Sequence, residues 1–160
     1  MSEPAAPPNV RRAVIQDVDV LADLMQAFYA EAGFGLAHDR AAQAFRALLE
    51  DPRLGHVWLA EREQRPIGHL VLTLGFSMEF GGPRGFVDDF FVLPNERGNG
   101  VGAAILAKVK EECAALGVRC LTVETGLEGH PARRLYVRAG FDDVGRGVLN
   151  QPLAPALHER

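Results

Sequence analysis

The sequence predicts an α/β domain of the α+β kind: a mixed, mostly antiparallel central sheet flanked by about four helices. Three stretches carry that expectation. The region from His56 to Val92 reads as a run of strands, with a hairpin from His56–Glu61 to Pro66–Phe76 across the polar turn Arg62-Glu63-Gln64-Arg65. Phe86 to Leu116 reads as an apolar strand, a turn at Leu93-Pro94-Asn95-Glu96, a glycine loop Arg97-Gly98-Asn99-Gly100-Val101-Gly102, and a helix. Arg119 to Thr125 alternates as a strand and pairs in parallel with Phe86–Val92 through a right-handed crossover.

Each element has a local reason. Pro4, Pro7 and Pro8 cannot supply ladder hydrogen bonds, so residues 1–8 are expected to be a disordered lead-in and residues 9–155 a single domain. Val10 to Ile15 is the first strand. Asp17 or Asp19 can cap a helix whose positions Val20, Leu21, Leu24, Met25, Phe28 and Tyr29 follow the helical period, and Gly33 and Gly35 break it. A second helix runs from about Asp39 to Glu50 with Ala42, Phe45, Leu48 and Leu49 on its apolar side, and His38 before it is read as a surface residue. The run Leu70-Val71-Leu72-Thr73-Leu74 suits a strand covered on both faces in mid-sheet. Ser77 to Arg84, with Gly81, Gly82 and Pro83, is a loop. In the main helix Ala103, Ala104, Leu106, Ala107, Val109 and Ala114 form the apolar face, and Gly117 ends it. Pro131 opens a short helix closed by Gly140, and Phe141 and Val144–Leu153 supply the last strands.

Composition narrows the function. A net charge of −4 argues against nucleic acid as a partner, because phosphate backbones need a basic face. Cys113 and Cys120 lack the spacing of a disulfide framework or a metal site and read as core thiols, and no metal is expected. No apolar run approaches the ~20 residues of a membrane span, and Met1 to Asn9 has no signal-peptide core, so a cytoplasmic location with no membrane partner is expected.

Glycines at a strand-to-helix turn leave backbone N–H groups uncovered where a helix already offers unpaired donors and a positive dipole end, which makes an anion cradle. A P-loop would need Lys-Ser or Lys-Thr where this chain has Ala103 and Ala104. A dinucleotide fingerprint is met in letter by Gly98, Gly100, Ala103 and Glu124, but it belongs to the first strand of a doubly wound sheet, and here a meander precedes it. Arg97, Gly100 and Gly102, with Asp88–Val92 before them and Ala132-Arg133-Arg134-Leu135-Tyr136-Val137-Arg138-Ala139-Gly140-Phe141 after them, resemble the GCN5-related N-acetyltransferase (GNAT) superfamily.

The resemblance implies an N-acetyltransferase domain with a V-shaped splay between two parallel strands, and acetyl-CoA as co-substrate. Its diphosphate would meet Arg97, Gly98, Asn99, Gly100, Val101, Gly102 and Ala103, its acetyl carbonyl the backbone around Phe91 and Val92, and Arg133 would assist. The family often has Asn where this chain has Gly129, with His130 beside it as a candidate replacement. A primary amine of pKa about 10 must lose a proton before it attacks a thioester. Asp88 and Asp89 are the candidate bases, and a regular strand would point them to opposite faces unless a bulge re-aims them; the alternative is a turn cap or an ion pair. Tyr136 resembles the family's general acid, which works best with a slightly lowered pKa; the alternative is a core aromatic. Phe76–Gly82 and Asp88–Val92 look like the polyamine or thialysine acetyltransferase branch. An acidic pocket of Glu31, Glu79 and Asp88, walled by Phe28 and Tyr29, would then hold a small diamine, polyamine or lysine-like amino acid, in a homodimer. A protein or peptide amine is the alternative acceptor, and a non-catalytic CoA-binding module the alternative of another class.

Overall fold

The computed structural model describes residues 3–126 and 130–160. Five strands form one sheet in the order β1-β2-β3-β4-β5: β1 (Asn9–Arg12), β2 (Gly55–Arg62), β3 (Arg65–Ser77), β4 (Gly82–Val92) and β5 (Cys120–Val123). The first four are antiparallel neighbours, and β5 alone runs parallel to β4. The helices are α1 (Val18–Glu31), α2 (His38–Glu50), α3 (Val101–Ala115) and α4 (Pro131–Arg138).

The sheet is covered on both sides, which is why its central strands read as unbroken apolar runs. Along β2 and β3, Trp58, Ala60, Leu70 and Leu72 pack with Ile105, Leu106 and Val109 of α3. The alternate positions Val57, Leu59 and Val71 pack with Leu21, Met25 and Phe45 of α1 and α2. Trp58 is fully buried, and its indole N–H is satisfied by the Glu112 carboxylate of α3 at 2.8 Å, with Arg12 stacked over the ring. A buried indole N–H left without that acceptor would cost about 1–3 kcal/mol.

Four expectations need correction. The buried face of α3 is Val101, Ile105, Leu106, Val109 and Cys113; Ala103, Ala107 and Ala114 face solvent, because the larger side chains bury more area per position. The first strand stops at Arg12, and Ile15–Asp17 forms a 3-10 turn; the Asp17 carboxylate accepts from Val14 N–H at 2.8 Å and from Arg11. The loop expected at Ser77–Arg84 is a tight turn, with Ser77 already paired to Gly82. Phe141 to Leu153 contains no strand. Gly145 and Gly147 supply no side chain to pack, and Pro152 removes a ladder donor, so the alternation around Val144 and Val148 does not become a sheet edge.

The β4–β5 ladder runs from Arg84↔Cys120 to Val87↔Val123 and ends, while β4 continues to Val92. The two parallel strands therefore splay, and Asp88–Val92 have no strand neighbour on that edge among the described residues.

Candidate active site

The glycine loop has two physical reasons for its glycines. Gly98 and Gly100 sit at φ 78° and 80°, the left-handed region, and a Cβ on either would meet nothing within 4 Å, so the loop is open on that side. Gly102 is a matter of close approach: a Cβ there would lie 2.8 Å from Leu135 Cδ2 of α4. Gly100 offers no capping side chain, and the first intrahelical bond is Ala104 N–H to Gly100 O at 3.0 Å. Among the described residues nothing accepts from the N–H groups of Val101, Gly102 and Ala103, and the first turn carries no acid. These donors face a cavity of about 600 Å³ lined by Arg97, Gly98, Gly100–Ala103, Phe90–Val92, α4, and Phe28 and Glu31 of α1, and together with the helix dipole they fit a diphosphate.

Arg97 is already engaged. Its guanidinium donates to both Glu31 oxygens at 2.9 and 2.8 Å, its Nε to Val92 O at 2.9 Å, and its plane lies over Phe91. Glu31 is held below the usual carboxylate range by that contact. Asn99 is exposed and does not line the cavity, its amide donating to Arg97 O at 3.5 Å.

The aspartates owe their placement to a bulge. Val71 pairs with Asp89 but the next residue, Leu72, pairs with Val87, so Asp88 is the extra residue. Val87 and Phe90 consequently share the α3 face although three positions separate them, and Phe91 lies on the α1 face. Both carboxylates are then close enough to Tyr29 of α1 to raise its hydroxyl pKa, behind the larger effect of burial. Tyr29 Oη donates to Asp89 Oδ1 at 3.4 Å. Asp89 is buried, and burial, with the charge of Asp88 adding to it, pushes its carboxyl up to about 7. Asp88 is open to solvent on one side, and burial of the rest raises it as well. Among the described residues no arginine or lysine is paired with either.

On the free edge of β4, Leu93 N–H is bonded to Ile67 O of β3 at 2.9 Å, so by strand alternation the N–H of Phe91 also faces β3 while those of Phe90 and Val92 face the splay. The expectation that the Phe91 backbone meets the acetyl carbonyl is corrected on this point; its side chain lines the cavity. Across the splay, Tyr136 of α4 is buried against Phe90 and Phe141, with ring centroids 6.0 and 5.5 Å away. Burial pushes its phenol up to about 12, opposite to the lowered value expected of an efficient acid.

Of the other expected residues, Phe28, Glu31 and His130 also line this cavity, and Arg133 and Glu79 do not. Arg133 pairs with Asp143 at 2.9 Å and lines a second cavity of about 880 Å³ beside β5, away from the glycine loop. His130 caps its own helix, Nδ1 accepting from Ala132 N–H at 3.2 Å, while Gly129 lies outside the described residues. The acidic pocket of Glu31, Glu79 and Asp88 does not form. Glu79 is on the β3–β4 turn, paired with Arg146, and Asp88 lies six strand residues from Gly82, about 20 Å along β4. Phe28, Tyr29 and Glu31 do share the last turns of α1, next to Phe91 and Asp89.

Sequence reasoning missed His69, which sits opposite Phe91 in β3, fully buried, both ring nitrogens without a partner and its pKa lowered to about 4 by burial. Its signal was present, a lone polar residue in the apolar run Ile67–Leu72. Among the described residues no group of three or more His, Cys, Asp or Glu could hold a metal, and no helix is long and apolar enough to cross a membrane.

Asp89 leaves a thermodynamic signature. With a folded pKa near 7 against about 4 unfolded, the folded state binds the extra proton between those values, so this group's effect is to lower stability as pH rises through that window. His69, lowered to about 4, acts in the opposite sense over roughly the same range. The difference between variant and parent is therefore the readout. Asp89→Asn should gain stability over the parent progressively from pH 4 to 7 and hold that gain above it, by up to about 4 kcal/mol, measured by urea unfolding across pH. A difference independent of pH would show that the carboxyl titrates normally.

Comparison with known proteins agrees with this geometry. The profile of the Acetyltransferase (GNAT) family matches residues 16–141. Uncharacterized N-acetyltransferase YhfO of Bacillus subtilis is 30% identical over 139 residues, covering 84% of this chain and 90% of that protein. Aminoalkylphosphonate N-acetyltransferase of Salmonella typhimurium is 29% identical over 134 residues, covering 83% and 84%. The crystal structure of an integron cassette protein from the mobile metagenome of Cole Harbour Salt Marsh is 56% identical over 92% of each chain, with a TM-score of 0.85. An open anion cradle at the start of α3, a splayed pair of parallel strands and a family profile spanning both place this chain in the GNAT acetyltransferase family, as an acyl-CoA-dependent N-acetyltransferase whose acetyl donor is acetyl-CoA.

Proposed function

We propose that the chain acetylates a small primary amine, with Asp89 as general base, and that the bulge at Asp88 is the observation that carries this reading. An alkylammonium of pKa about 10 gives its proton to an ordinary carboxylate at a cost of about 8 kcal/mol. A carboxylate near 7 halves that cost, to about 4 kcal/mol, whether it acts directly or through water. The diphosphate is held by the N–H groups of Val101, Gly102 and Ala103, and the acetyl carbonyl by the N–H of Val92 on the free edge of β4. Arg97 acts mainly through Glu31, tying the end of α1 to the end of β4.

Tyr136 serves the leaving sulfur. With a phenol near 12, full transfer of its proton to a thiolate whose conjugate acid has pKa about 8.5 is uphill by about 5 kcal/mol, so its contribution is a hydrogen bond to the developing charge.

For the acceptor, two carboxylates without a basic partner on the α1 face favour a cation. This supports the diamine, polyamine or lysine-like reading that the resemblance to the polyamine and thialysine branch suggests, with Phe28 and Tyr29 covering the methylene stem. The aminoalkylphosphonate named for the Salmonella relative carries an anionic group as well, which the same carboxylates would repel.

Three measurements test this. Gly100→Asp puts a carboxylate, and a strained left-handed residue, at the cradle, and should weaken acetyl-CoA binding at least tenfold by calorimetry with the fold intact; unchanged affinity removes the cradle assignment. Tyr136→Phe should lower kcat by about 10- to 100-fold, the worth of one charge-assisted hydrogen bond, with little change in acetyl-CoA affinity; full turnover would make Tyr136 structural. A panel of short diamines, polyamines, lysine-like amino acids, aminoalkylphosphonates and peptides, followed by thiol release, should show the cationic small amines as best substrates, with rates falling as salt rises. Activity confined to peptides or to phosphonates would overturn the small-cation reading, and coenzyme binding with no acceptor would favour a non-catalytic module.

A further inference from the structure

A segment to which sequence reasoning assigned no role packs against the last turns of α1. Beyond α4 the chain crosses the molecule and returns to α1: Gly35 N–H donates to Glu159 O and Glu159 N–H to Gly35 O, both at 2.8 Å. This two-way bond sets His158 against two rings, with centroids 4.3 Å from Phe34 and 5.5 Å from Tyr29. His158 Nδ1 is buried without a partner, so the ring is held there by packing and not by a hydrogen bond from that atom. Tyr29 in turn meets Phe28 edge-on at 5.4 Å, Phe28 meets Phe91 of β4 at 5.4 Å, and the Tyr29 hydroxyl reaches Asp89. A continuous aromatic stack thus runs from the strap Leu157–Glu159 through the last turns of α1 to the strand that carries both carboxylates.

The end of α1 has few other restraints. Phe34 N–H closes onto Tyr29 O at 2.9 Å and Gln26 donates to Leu36 O at 2.8 Å, and both bonds lie within the α1–α2 connection itself. Glu31 and Arg97 add an exposed ion pair, a kind of contact worth about 1 kcal/mol or less. Aromatic contacts of this kind contribute about 0.5–1.5 kcal/mol each beyond the area they bury, so removing His158 withdraws two of them from one side of Tyr29.

We infer that the strap Leu157–Glu159 is the outer wall of the acceptor site and that His158 is a positioning residue, its ring pressing Tyr29 into register with Asp89 and the amine. The inference rests on the acceptor-side reading above, and it makes the acceptor half of the site depend on a segment more than a hundred residues from α1 in sequence. The cofactor cavity is lined by α3, α4 and the end of β4 with Phe28 and Glu31 of α1, but not by His158 or by either ring it touches, Phe34 and Tyr29.

Two substitutions separate ring from nitrogen. His158→Ala should raise the KM for the best amine of the panel about fivefold or more and leave the calorimetric affinity for acetyl-CoA within twofold. His158→Phe, which keeps a flat ring at the same place, should restore KM to within twofold of the parent. Glu159→Pro, which removes the donor to Gly35 O, should behave like His158→Ala. Equal loss of amine and acetyl-CoA binding, no loss of either, or failure of His158→Phe to rescue would each overturn the inference. Amide hydrogen exchange supplies a readout independent of turnover: His158→Ala should lose protection in residues 28–34 and keep it in β3 and β4. If no amine in the panel is acetylated by the parent, the acceptor reading fails on that result, and the exchange measurement still decides whether the strap orders α1.

Discussion

The constraint on which the rest of the structure depends is the early end of the β4–β5 ladder at Val87↔Val123. At the base of the splay the strands are drawn together: Gly85 has no side chain, and a Cβ there would lie 2.8 Å from Leu121 and 3.0 Å from Leu72, so those two leucines meet over it. Beyond the base, Phe90 and Tyr136 stand between β4 and α4 and hold the gap open. The same four residues of parallel pairing therefore fix two things at once. They leave the Val92 N–H without a partner among the described residues, and they aim the end of β4 at the loop where the N–H groups of α3 emerge. A longer ladder would satisfy the strand and close the cavity.

The bulge at Asp88 completes that geometry from the other side. A regular β4 would place Asp88 and Asp89 on opposite faces, one toward the α3 core and one toward α1. The extra residue turns both toward α1, so that the apolar side of the splay stays apolar while the polar side gains two carboxylates. Burial, with the charge of Asp88 adding to it, then makes Asp89 a proton acceptor in the neutral range. The Tyr29 hydroxyl opposes the effect only weakly, at a donor distance of 3.4 Å.

What was legible in the sequence follows backbone chemistry closely. Gly98 and Gly100 announce themselves because only glycine takes positive φ without strain, while the close approach of Leu135 that requires Gly102, the second residue of α3, comes from α4 and shows only in the fold. The meander, the position of β3 in mid-sheet and the helix ends follow from period and punctuation in the same way. Features that depend on how separate elements meet were not legible. Glu79 was grouped with Glu31 and Asp88 by charge, yet a β-turn and a long strand separate it from them. Arg133 and Arg97 have partners, Asp143 and Glu31, that no spacing rule identifies. The alternation of Val144 and Val148 resembles a strand until the intervening glycines and the following proline are weighed against it.

The charges on the α1 face are those that the proposed cationic acceptor would meet. His69 lies on that face, two pairs along the β3–β4 ladder from Asp89, and burial without a partner keeps it neutral at any pH where the carboxylate is ionised. Arg97, which lines the cavity together with Arg138, is bound bidentately to Glu31. Among the described residues the protein therefore supplies no countercharge of its own to Asp88 and Asp89, and an ionised Asp89 carries an uncompensated burial cost that a bound ammonium would remove. Binding and proton transfer pull in opposite directions here, because an ammonium beside the carboxylate lowers the carboxylate's pKa as it binds. A carboxyl that starts near 7 can be lowered by its substrate and still remain a better base than one that starts at about 4. The desolvation that costs the free enzyme stability is thus the same term that keeps the base effective once the amine is in place.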